Sequence, residues 1–163
     1  MKDIFSDIVF GKNYEINKSI NISNSDFSEK FNENFLDIKD DPGNRFSTKE
    51  QLYGSISNGK IKIWFKTGLP FTPIFKGFIK EAEKNKTLLI GYFEPNSLGV
   101  LFVILCLIIY ALMVFFWIIS PENIEDGIFL SILGIVYILI IVNNVTKARR
   151  QLREIKNRLK LIR

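Results

Sequence analysis

Apolar and polar positions alternate over residues 14–22 (YEINKSINI), with Tyr14, Ile16, Ile20 and Ile22 on one side and Glu15, Asn17, Ser19 and Asn21 on the other. A period of two predicts a half-buried strand. The period then lengthens: Phe27, Phe31 and Phe35 recur at i, i+4 and i+8. That spacing predicts a short helix, capped by Ser25 or Asp26 and running to about Phe35. Alternation returns in residues 51–57 (QLYGSIS) and 60–67 (KIKIWFKT), which flank Asn58-Gly59, the pair preferred in a type I′ hairpin turn. Residues 73–83 and 87–93 predict a second hairpin across Lys84-Asn85-Lys86. Its last strand, TLLIGYF, is apolar on both faces and is expected to be central or covered. Ile4, Phe5, Ile8 and Val9 in the opening residues suit a short helix. Residues 1–95 are therefore expected to form an α+β module of four or five antiparallel strands and a short helix.

Beyond Glu94-Pro95 all periodicity gives way to two uncharged runs, residues 98–119 and 127–146. At about 1.5 Å per residue the first makes a helix of about 33 Å, against a hydrocarbon core of about 30 Å. A chain of 163 residues cannot wrap two helices that are apolar all round. The pattern predicts a transmembrane hairpin over 96–146, with residues 120–126 as its outer turn. Pro121 stops the first helix, and Asn123 with Asp126 resembles the N-cap of the second.

Charge sharpens this picture. The chain has 22 Lys and Arg, 17 Asp and Glu, no His and one Cys. By segment, residues 1–97 carry a net +1, residues 120–126 a net −3, and residues 147–163 a net +7. Lys147, Arg149, Arg150 and Arg153 follow the second run directly, whereas the turn has no Lys or Arg. The positive-inside rule then predicts both termini in the cytoplasm of a bacterial inner membrane. Without His, most catalytic triads and nearly all zinc sites are unavailable, and one Cys makes neither an internal disulfide nor a redox pair. No nucleophile stands near a plausible base, and no enzyme activity, metal or cofactor is expected.

Four features are candidates for function. Over residues 145–163, which include the tail 147–163, Val145, Ala148, Leu152, Ile155, Leu159 and Ile162 form an a/d stripe continuing the second run. It suits a basic amphipathic helix on the inner leaflet, a coiled coil between copies, or packing on the module. Lys147, Arg149, Arg150 and Arg153 are candidate contacts to anionic lipid phosphates. Nucleic acid is not an expected partner, because the tail has no aromatic residue. In the second run Gly127, Ser131 and Gly134 permit close helix contact, within the hairpin or between copies. Tyr53 and Trp64, on the polar sides of neighbouring arms, are a candidate ligand face or a pair that covers the sheet. Finally, Glu33, Asp37, Asp40 and Asp41 form an acidic cluster that reads as a solvated turn, since it lacks a calcium-loop pattern.

Leu52-Tyr53-Gly54-Ser55-Ile56, Lys62-Ile63, Phe71-x-Pro73-x-x-Lys76-Gly77-x-Ile79 and Thr87-x-Leu89 resemble small bacterial membrane proteins of uncharacterised activity. These join a strand-rich cytosolic domain to a transmembrane pair. The likeness covers about residues 50–95 and departs at Thr67-Gly68-Leu69, where the related sequences favour Arg-Asn-Ser. It implies the same architecture and no activity. Together these readings lead to an expected function as a homo-oligomeric membrane effector. Its cytosolic module would sense an unknown protein or small-molecule trigger, as in antiviral defence or toxicity systems. The alternative is a passive anchor that recruits a protein partner.

Overall fold

A computed structural model describes residues 7, 9–10, 14–36, 51–66, 71–82, 86–119 and 124–162. Its centre is a five-stranded antiparallel sheet of β1 (Glu15–Ile20), β2 (Leu52–Ser57), β3 (Lys60–Phe65), β4 (Pro73–Ala82) and β5 (Lys86–Pro95). The order is β1-β5-β4-β3-β2. The β2–β3 turn is Asn58-Gly59, with φ of 50° and 72°, the positive values a type I′ turn requires. This sets a register in which Tyr53 faces Trp64 and Ile56 faces Ile61. β5 lies between β1 and β4, so both its edges are paired, but only one of its faces is buried: Leu89 and Phe93 enter the core while Tyr92 is exposed.

Period two divides the sheet into unlike faces. On one, Leu52, Ile61, Ile63, Phe65, Phe75, Leu89 and Phe93 are buried. Helix α1 (Asn24–Asn34) covers part of this face through Phe27 and Phe31, followed by Phe35 just past its end. The helix begins earlier than its phenylalanine stripe predicts. Ser23 is the N-cap, its Oγ accepting from the Asp26 amide at 3.2 Å, while Ser25 Oγ bonds only to that of Ser23. Asp26 thus sits in the first turn, where its charge favours the dipole. Thr87 ties the start of α1 to β5: its buried hydroxyl lies 2.8 Å from the Ile22 carbonyl oxygen, to which it donates. Val9 and Phe10, both helical, are buried in the same core.

Two long helices follow. β5 passes through Asn96 alone into α2 (Ser97–Ile119), and α3 (Ile124–Leu161) continues for 38 residues. Each is long and apolar enough to cross a membrane. Their apolar residues face outward: Leu98 is 75% exposed, Phe116 66% and Leu139 62%.

The last third of α3 behaves differently. Ala148, Leu152, Ile155 and Leu159, with Ile162 just beyond the helix, are buried in one cluster with the sheet residues and the α1 phenylalanines. The apolar run and the basic tail are therefore one uninterrupted helix. The module's core is built from both ends of the chain, so residues 1–95 do not complete it.

Candidate functional site

The second face of the sheet is set by the same register. It presents Tyr53, Lys60, Lys62, Trp64, Ile74, Lys76, Phe78, Lys80, Lys86, Leu88, Ile90 and Tyr92. Of the large apolar residues here, Phe78 is 37% exposed and Tyr92 47%. Lysine and aromatic rings are interleaved: Lys62 Nζ lies 5.2 Å from the Trp64 ring centre, and Lys80 Nζ 5.1 Å from that of Phe78. Carboxylates are few, with Glu15 on β1 and Glu94 at the end of β5, the latter paired to Lys76. Among the described residues, Lys60, Lys62, Lys80 and Lys86 meet no carboxylate. An open concavity of 1050 Å³ lies on this face, lined among others by Lys60, Lys76, Phe78, Lys80, Ile90 and Tyr92.

Tyr53 and Trp64, the ligand-face candidates, are cross-strand neighbours with ring centres 6.0 Å apart and nearly parallel planes. Tyr53 is nonetheless only 2% exposed. Leu36 pairs with β2 at this point, donating to the Leu52 carbonyl and accepting from the Gly54 amide, which covers the sheet edge. Tyr53 also donates to Gln51 Oε1 at 2.6 Å. It covers the sheet, and Trp64 is the more accessible of the two. Phe78, Tyr92 and the lysines of β4 were not singled out from the sequence. The alternation Ile74, Lys76, Phe78, Lys80 was the available signal.

The tail candidates divide in two. Val145 packs against the core, and Ala148, Leu152, Ile155, Leu159 and Ile162 enter it, which leaves this stripe no face for a coiled coil or for lipid. The cause is the sheet: its apolar face would otherwise stand in water, and α3 is the element that closes it. Two arginines serve the same packing. Arg149 Nε donates to the Val9 carbonyl at 2.9 Å, and Arg158 Nη1 donates to that of Asn34 at 2.9 Å, placing a cation at the C-terminus of α1. Arg150 and Arg153 are exposed on the opposite side of α3; Lys147 is half-buried. Lys156 reaches over Phe93, its Nζ 5.7 Å from the ring centre. Burial, and then neighbouring Lys160, push its ammonium below the ordinary lysine range.

In the hairpin, a side chain at Gly127 would strike Trp117, and one at Gly134 would strike Tyr110. Tyr110 donates to the Leu130 carbonyl at 3.1 Å and Tyr137 to that of Val103 at 2.7 Å, so each helix bonds to the other's backbone. Both glycines thus serve contact between α2 and α3 of one chain. Ser131 is exposed and donates to its own helix at Gly127.

Asp37, Asp40 and Asp41 lie outside the described residues, and Glu33 is exposed on α1. Among the described residues no three His, Cys, Asp or Glu side chains converge on a point that could hold a metal. No protein-family model matches the chain, and no curated protein or solved structure matches it.

Proposed function

We propose that this chain is a two-span membrane protein that fixes a β-sheet binding module against the inner face of a bacterial inner membrane, with the open sheet face as its working surface. The observation that carries this is α3. Its first part is apolar and exposed, with Ile128, Ile135 and Val142 each more than half exposed, and its last third is buried in the module. A helix of 38 residues is about 57 Å long, of which about 30 Å suffices for a bilayer. The remainder is the part that closes the sheet. Exposed apolar surface on this scale calls for lipid or a partner.

Orientation follows from Lys147, Arg149, Arg150 and Arg153 at the end of the apolar run, against Glu122, Glu125 and Asp126 at the other. Arg150 and Arg153, exposed at that boundary, supply cations for inner-leaflet phosphates.

The anchor reading is favoured over the self-associating effector. Gly127, Gly134 and the stripe of the tail, which motivated an oligomer, are engaged within the chain. One observation supports the effector: with Asn96 the only residue between β5 and α2, and α3 unbroken, force on the sheet reaches both spans directly.

Cysteine labelling tests the topology. In a Cys106→Ser background, Glu122→Cys should react with an impermeant maleimide on spheroplasts, and Ser57→Cys only after lysis. Labelling of both from one side would contradict the proposal.

A further inference from the structure

We propose that the open face of the sheet binds single-stranded nucleic acid, bases stacking on its aromatic rings and phosphates meeting its lysines. This rests on the reading of that face as the working surface and names its partner. The earlier expectation against nucleic acid concerned the tail, which has no aromatic residue. The sheet face is a different surface. Lys60, Lys62, Lys76, Lys80 and Lys86 stand there against Glu15 and Glu94, and Glu94 neutralises only Lys76. Such a surface complements a polyanion.

The rings narrow the choice. Sequence-tolerant binding of single strands combines a basic groove with aromatic side chains on which successive bases stack. Phe78 and Tyr92 are exposed on adjacent strands, with Ile90 opposite Phe78 and Lys76 opposite Tyr92. They are diagonal neighbours, at about 7–8 Å, far enough apart for each ring to take its own base. Trp64 stands on the same face further along β3, opposite Ile74. Lys62 and Lys80 now lie over rings. A contact of that kind at an exposed site is weaker than a base–aromatic stack, so the ammonium groups yield the rings and turn to phosphate.

Geometry disfavours lipid as the occupant of this face. Sharp bends in a helix have local causes such as a proline or a π-bulge, and α3 has neither, being α-helical from Ile124 to Leu161. Where α3 crosses a bilayer, the sheet packed along it stands beside the helix axis and its open face looks sideways. Lys60, Lys80 and Lys86 then lie at strand ends remote from the Pro95–Ser97 junction.

The test uses the full chain in neutral phosphatidylcholine nanodiscs, which expose both sides of the bilayer. A labelled ten-nucleotide oligouridylate is titrated by fluorescence anisotropy at several salt concentrations. Phe78→Leu and Tyr92→Leu, which keep apolar bulk without the ring, should each weaken binding about tenfold. Lys62→Gln and Lys80→Gln should each flatten the logarithmic salt slope by about 0.7. Arg150→Gln with Arg153→Gln should leave affinity unchanged. Absence of binding by the incorporated protein would overturn the proposal. So would equal affinity for a duplex, for uridine monophosphate or for polyglutamate, or loss of binding confined to the tail variants. Failure to enter nanodiscs counts against the membrane reading instead, and binding is then measured in detergent with the same criteria.

Discussion

Lys156 is half-buried where α3 meets the sheet, its ammonium over Phe93. Burial disfavours its charged form, and Lys160 adds repulsion. Its folded pKa is therefore below the unfolded one, and between the two values the unfolded chain binds more protons. The destabilisation is fully present below the folded pKa and fades as pH rises through that window. Lys156→Met, which keeps the stem, should melt above the parent at about pH 7, and the gap should shrink towards about pH 10. Thermal unfolding in nanodiscs measures both, and a gap that does not change with pH would remove the shift. Tyr53 shows what alternation conveys about one residue: it gave the correct side of the sheet and the correct neighbour in Trp64. It could not give the burial, because alternation within β2 carries no information about what packs over it, and the backbone of Leu36 pairs with β2 at Tyr53 from outside that pattern.

At the level of elements, the hairpins were legible because their signals are local. Asn58-Gly59 dictates its own turn, and strict alternation in β3 allows a single register. The cap of α1 lies two or three residues before the one the stripe predicts, because Ser23, Ser25 and Asp26 are all good caps and only the three-dimensional start of the helix chooses. The tail was the least legible element. Its a/d stripe states that one face must be buried and says nothing about what buries it; a second copy, a lipid surface and a sheet all satisfy a heptad. The sheet's own apolar face, some sixty residues upstream and more, decides among them. The glycine pattern in α3 carried the same ambiguity. Gly134→Leu, whose side chain would strike the Tyr110 ring and hydroxyl, resolves it in nanodiscs. The unfolding temperature should fall while the number of chains per disc stays that of the parent. A change in the number of chains with an unchanged unfolding temperature would restore the oligomer contact.

On the scale of the whole molecule, segregation of charge and apolar surface along the chain corresponds to a division of labour along one helix. The first part of α3 offers apolar side chains outward, and its last third completes a core begun by residues far earlier in sequence. Anchor and module on this account share an element, and neither is complete without the other. Hydrogen exchange of the full chain in nanodiscs, followed by mass spectrometry, tests this most directly. Amides from Gly127 to Leu161 should exchange slowly as one block, with no fast segment at Asn143–Lys147. In rising denaturant, residues 148–161 should lose protection together with β3, β4 and β5. Rapid exchange across 143–147, or loss of protection in 148–161 while the sheet stays protected, would contradict the shared helix.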